Sequence, residues 1–203
     1  MTVMFDLGPA ARRLADLVAA VPDRLLTAPT PCERYALGDL VDHVGGLALA
    51  FTAAATKDTT GSGGQASAQG APGDAARLGD DWRTRIPAQL ATLAEVWRAP
   101  AAWVGTTRAG GVELPGDLAG RVALNEVVVH GWDVARAMGL PFEVDAEELD
   151  ACMSFVSAMA APDQQAARGS AFGPVVDVPA DAPLLDRVIG LSGRDPSWRR
   201  PEP

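Results

Sequence analysis

Cysteine is nearly missing from this chain. Cys32 and Cys152 are its two thiols, far apart and without a CxxC pair, which excludes a disulfide framework and suits a reducing cytoplasm. No apolar stretch approaches the ~20 residues that a membrane span needs. The amino terminus, MTVMFDLGPAARRLADLVAAV, breaks its apolar residues with Asp6, Arg12, Arg13 and Asp16 and so lacks a signal-peptide core. A cytoplasmic protein with no membrane partner is the expectation. Basic residues are also scarce, 17 against 26 acidic, for a net charge of −9 and a pI near 4.6. Such a chain is repelled by phosphate backbones, so a nucleic-acid partner is not expected. Aromatics make only 5% of the residues, and the apolar content is mainly Ala, Leu and Val, which favours helices over a sheet sandwich. Several catalytic motifs are absent too: there is no HExxH and no GxSxG, and Gly61, Gly63 and Gly64 are followed by no GK[ST].

What is present has the periodicity of helices. The 203 residues suit one domain spanning 1–203, and 21 glycines with 16 prolines imply irregular connections between its elements. Helices are predicted over Pro9–Val21, Leu37–Thr56, Asp80–Arg98, Asp117–Met138, Ala146–Ala160 and Ala182–Leu191, the first three from clear apolar stripes. Pro87 is expected to kink the third or delay its start. Asp39 sits in the first turn of the second, where it complements the positive helix end. Residues 57–78 have no apolar periodicity and read as a mobile surface loop, with a lid as the active alternative. Residues 103–115 read as extended or turn-rich. The fold class that follows is mainly all-α, a four-helix bundle with a short carboxy-terminal extension over about 163–203.

The chemistry concentrates on two histidines, His43 and His130. In LNEVVVHGWD, His130 follows Glu126 by four positions, about 40° apart around a helix of 3.6 residues per turn. Asp133 shares that face. The intervening Val127, Val128 and Val129 mark a helix buried on most sides, where an unpaired carboxylate is costly. His43 lies in DLVDHVGG, beside the pair Gly45 and Gly46, which permits close approach of a neighbouring backbone. If these two helices pack together, two imidazoles and a carboxylate form a three-ligand set for a divalent metal with open positions. The simpler account is that each histidine is an ordinary hydrogen-bonded core residue, and spacing alone does not establish that His43 faces Glu126. Arg136, one turn after Asp133, is its expected ion-pair partner. Trp82, Trp132 and Cys152 read as packing residues. Cys32 reads as a small buried side chain, with a reactive thiol at the mouth of the site as the alternative.

The segments TPCERYALGDLVDHVGGLALAF (residues 30–51) and LNEVVVHGWDVARAMGL (residues 124–140) resemble the two signature regions of the mycothiol-dependent maleylpyruvate isomerase amino-terminal domain, a member of the DinB-like metal-binding four-helix superfamily. The ending FGPVVDVPADAPLLDRVIGLSGRDPSW resembles an actinobacterial branch of uncharacterised proteins. The resemblance implies that His43, Glu126 and His130 bind a metal, commonly zinc, with Asp133 beside it, and that mycothiol is the thiol cofactor. Iron, nickel or manganese also suits the ligand set. The chain departs from the pattern at Tyr35, where the family has Trp, and at Ala36, where a capping Ser or Thr is common. In the isomerase a further carboxy-terminal domain supplies a functional Arg; in the short tail that follows the bundle here, Arg187 and Arg194 align with nothing in that domain.

Two functions follow. The first is a metal-dependent enzyme in which an activated low-molecular-weight thiol attacks a small electrophile, in transfer or isomerisation, with Asp133 as the catalytic side chain that orients a ligand or accepts the thiol proton. The second is a non-catalytic metal-binding or ligand-binding bundle. A homodimer stays open.

Overall fold

The computed structural model describes residues 4–58, 72–109, 111–164, 168 and 172–201. Helix α1 (Gly8–Ala20) has Pro9 in its first turn, where the missing N–H costs nothing. It buries Leu14 and Val18 completely. Helix α2 (Leu37–Thr56) has the predicted boundaries, and Ala36 supplies no side-chain cap. Its first amides bond instead to the preceding loop: Leu37 N–H donates to the Ala28 carbonyl at 2.9 Å and Gly38 N–H to that of Leu26 at 2.7 Å. Backbone carbonyls thus satisfy donors that a Ser or Thr would take elsewhere.

Helix α3 (Trp82–Val96) starts ahead of Pro87 rather than after it, with the proline inside. The helix forgoes one backbone bond there but keeps its buried stripe of Trp82, Ile86, Leu90 and Leu93. Strands β1 (Thr106–Ala109) and β2 (Val112–Pro115) form an antiparallel hairpin in the region read as extended. The Thr107 hydroxyl ties it to α2 through the Ala54 carbonyl, 2.6 Å away. Helix α4 (Gly116–Met138) follows and ends on Gly139, whose φ of 74° is a left-handed cap. Helix α5 (Ala146–Met159) opens on a reciprocal capping box between Asp145 and Glu148. Helix α6 (Leu184–Leu191) is the last of the described helices.

Helix α1 packs on α3 and α4, and α2 packs on the same two. This is the mainly helical four-helix arrangement expected, with α5 laid against α4 and α6. One apolar core runs through it, from Leu14 and Leu40 to Leu93, Val128 and Val156. Each fully buried aliphatic side chain there contributes about 1.5–3 kcal/mol. At Gly45, the close neighbour is a side chain rather than a backbone: an added Cβ would meet Ile86 Cγ1 of α3 at 3.2 Å. On the outer side of α4 a smaller cluster forms around Val129, Trp132 and Ile189, with Phe142, Leu185 and Trp198 packed against it. It binds α6 and the residues after it to α4.

Most of the loop predicted at 57–78 lies outside the described residues. Its last part is held on α2. Asp74 N–H donates to Asp42 Oδ2 at 3.0 Å, Ala75 N–H to Asp39 Oδ1 at 2.9 Å, and Arg77 pairs with Asp42 at 2.6 Å. Asp39 therefore accepts a specific bond as well as complementing the helix end. Among the described residues no helix is long and apolar enough to cross a membrane.

Candidate metal centre

Packing of α2 against α4 brings His43 to His130. Their rings lie 5.0 Å apart between centroids and nearly perpendicular, at 88°. One turn back along α4, Glu126 Oε2 lies 3.1 Å from His130 Nε2. Taken together, one ligand atom each from His43, Glu126 and His130 lies within 4.8 Å of the others. His130 is buried, and His43 and Glu126 are half-buried, so the cluster has one side toward solvent. Tyr35 stacks on the His43 ring at 5.0 Å between centroids and fixes the outer face of that imidazole.

Asp133 lies on the other side of His130. The ring Nδ1 is 2.9 Å from Asp133 Oδ2, and Asp133 is fully buried. Arg194 grips the same carboxylate through Nη2 to Oδ2 at 3.1 Å and Nε to Oδ1 at 3.4 Å. The expected partnership of Asp133 with Arg136 is not what forms. Asp133 points inward with His130, while the half-buried Arg136 lies over the Trp132 ring, 5.4 Å from its centroid. Arg194 had no helical spacing to announce it, since 61 residues separate it from Asp133.

The charges follow from these contacts. Burial works against ionisation of Asp133, but the Arg194 guanidinium and the His130 bond outweigh it and hold the carboxyl below its usual range. Glu126 is held down to about 2: burial opposes the charge, and the His130 bond and the nearby imidazoles win. Burial pushes His43 down to about 4, helped by its neighbour His130. Burial also disfavours charge on His130, yet bonds to Asp133 and Glu126 raise it.

A simple inventory of donors shows what this arrangement wants. An ionised Asp133 only accepts, so His130 Nδ1 must carry the proton. That leaves the Nε2 lone pair facing the Glu126 carboxylate, acceptor against acceptor, at 3.1 Å. Either a second proton on His130 or a cation resolves the conflict. Neutral His43 adds a third lone pair. The donor chemistry therefore fits a divalent metal, with Asp133 in the outer position that commonly fixes a ligating imidazole.

Other residues singled out in the sequence lie outside this cluster. Cys32 is buried, close enough to Arg194 and Asp133 for their charges to act on it, and its thiol is raised chiefly by burial. Cys152 is core, its thiol pushed up to about 12 by burial. Trp82 and Trp132 are buried packing residues. Two surface cavities lie elsewhere: one of about 410 Å³ beside Phe5, Arg121 and Asp150, the other of about 200 Å³ between α1 and α3.

Fold and site together define a helical bundle with a partly buried His/Glu cluster between two of its helices. Residues 7–135 match the family of the Mycothiol maleylpyruvate isomerase N-terminal domain, and the chain belongs to that family. It is also similar to two uncharacterized proteins of Mycobacterium tuberculosis, from strains CDC 1551 / Oshkosh and ATCC 25618 / H37Rv. Each is 26% identical over 181 residues, covering 89% of this chain and 91% of the relative. No solved structure matches the chain. Arg194 falls beyond the stretch matched by the family.

Proposed function

We propose that this protein is a metal-dependent enzyme of the thiol-using type, in which His43, Glu126 and His130 hold a divalent cation, zinc before nickel, iron or manganese. The thiol is of low molecular weight, mycothiol on the family's own description, and the substrate is a small electrophile undergoing transfer or isomerisation. The observation that carries this reading is the meeting of three ligand atoms, one each from His43, Glu126 and His130, within 4.8 Å of one another. Ligand atoms about 2.0–2.2 Å from one zinc ion lie roughly 3–4 Å from each other, so modest side-chain rotation closes the set.

Each residue has a definite task. His43 and His130 offer neutral imidazole nitrogens, and Glu126 contributes one negative charge, which leaves a net positive centre with room for an incoming ligand. A divalent cation there favours thiolate over thiol at neutral pH. Asp133 acts on His130 rather than on the thiol: both of its oxygens are engaged, Oδ2 by His130 and Arg194 and Oδ1 by Arg194. It holds the Nδ1 proton and so presents Nε2 to the centre.

Elemental analysis of protein purified without chelator should find about one metal per chain, lost when His43 and His130 are both changed to Ala. Mycothiol titrated into the cobalt-substituted protein should then perturb its visible spectrum, and electrophiles should turn over. Metal without either thiol response would instead mark a non-catalytic metal-binding bundle. Metal content unchanged in the double Ala variant would refute the ligand assignment.

A further inference from the structure

We infer that the chain beyond the family's matched region completes the metal centre, with Arg194 as a positioning residue that sets the affinity of His130 for the cation. The inference rests on the ligand assignment proposed above. It comes from a run of contacts that ends at Arg194. After α6, Arg194 N–H bonds to the Ile189 carbonyl at 3.1 Å, and Gly193 turns the chain at a φ of 79°. A side chain at that turn would also collide with the Gly173 backbone, at 2.7 Å. Arg168 clasps both sides of the turn, donating to the carbonyls of Gly173 at 2.7 Å and Leu191 at 3.0 Å. Farther on, Arg200 donates to the Ala137 carbonyl at 3.0 Å, tying the tail to the end of α4.

Docking of this tail does not need a buried ion pair. Ile189 already packs with Val129 and Trp132, and apolar burial is the cheaper adhesive. Yet the tail places a guanidinium that is 7% exposed on a carboxylate that is 0% exposed. The guanidinium does something the apolar contacts do not. Its two-point grip fixes the plane of the Asp133 carboxylate, with Oδ2 aimed at His130 Nδ1. The fixed carboxylate in turn sets the orientation of the His130 ring through Nδ1, which turns Nε2 toward Glu126. The chain of contacts runs from Arg194 through Asp133 to His130, the side chain that would hold the cation. Outer partners of this kind commonly change metal affinity 10–100-fold.

The test uses full-length protein carrying Arg194→Met, Arg194→Lys or, as a tail control, Arg199→Met. Each is stripped of metal, shown to be folded by circular dichroism, and titrated with zinc(II) against a chelator and with cobalt(II) by visible absorption. The Met variant should bind both ions about 10–100-fold more weakly with an altered cobalt spectrum. The Lys variant, which keeps the charge but not the fork, should fall between. Arg199 is exposed, and its variant should match wild type. If the Met variant does not fold, the Lys variant decides: weakened binding supports the inference, and wild-type binding overturns it. Folded Arg194 variants with wild-type affinity and spectrum would assign Arg194 to tail docking alone and overturn the inference, while leaving the ligand assignment intact. Wild-type affinity in His43→Ala and His130→Ala would refute the ligand assignment itself, and the two failures are thereby told apart.

Discussion

The Asp133–Arg194 pair permits a stability prediction in the metal-free protein. Asp133 is 0% exposed and Arg194 is 7% exposed, so removing either leaves the other charge buried without its partner. Breaking a buried pair from one side costs about 3–5 kcal/mol. In a chain of this size each kcal/mol lowers Tm by about 2–4 °C, so Asp133→Leu or Arg194→Met should lower it by roughly 6–20 °C. The double variant removes both charges and should recover much of the loss, giving a coupling of about 2–4 kcal/mol in a double-mutant cycle. Asp133→Leu should be the worse single change, because it also strips His130 of its Nδ1 partner. The pH dependence follows from the sign of the shift. Asp133 is held below its ordinary value, so its contribution is present above the unfolded pKa near 4 and is lost as pH falls through the folded one. Urea unfolding of the four proteins at pH 7, with chelator present, measures the cycle. Single variants costing under 1 kcal/mol, or a double variant as unstable as the sum of the singles, would show that the two charges are not coupled.

Three more outcomes are expected. His43 is pushed down to about 4 from its ordinary 6.5, so its share of apo-protein stability is full above pH 6.5 and lost as pH falls toward 4. That share is at most about 3 kcal/mol, and His43→Asn should flatten the stability profile over that window; an unchanged profile would count against it. Metal uptake at neutral pH should release protons from His130, the one ligand raised by its partners, and not from His43 or Glu126. Calorimetry in two buffers of different ionisation enthalpy reads this release, which His130→Asn should abolish. Burial raises both thiols, Cys152 to about 12, so a thiol reagent at pH 8 should label native protein far more slowly than unfolded protein; equal rates would contradict the burial.

Helical periodicity made the bundle legible. Leu37 to Thr56 was readable to the residue because its stripe is continuous and its start follows a loop rich in proline, although the absent cap at Ala36 gave no help. The His130 and Glu126 pairing was readable as well, since four residues in a helix fix two side chains on one face. His43 was readable as a candidate only, because spacing within a helix says nothing about which helix it meets. Arg194 was beyond reach: its partner is 61 residues away, and the glycine turn that aims it carries no periodic signal. The same locality misled at Arg136. Its spacing from Asp133 suits an ion pair, but Asp133 is turned inward, where only a residue from another element reaches it.

Diffraction from zinc-grown crystals, collected on both sides of the zinc absorption edge, would show whether His43, Glu126 and His130 share one ion. One strong anomalous peak is expected, bounded by His43, Glu126 Oε2 and His130 Nε2, with Asp133 still bonded to Nδ1. A peak elsewhere, or none between these three side chains, would contradict the ligand assignment.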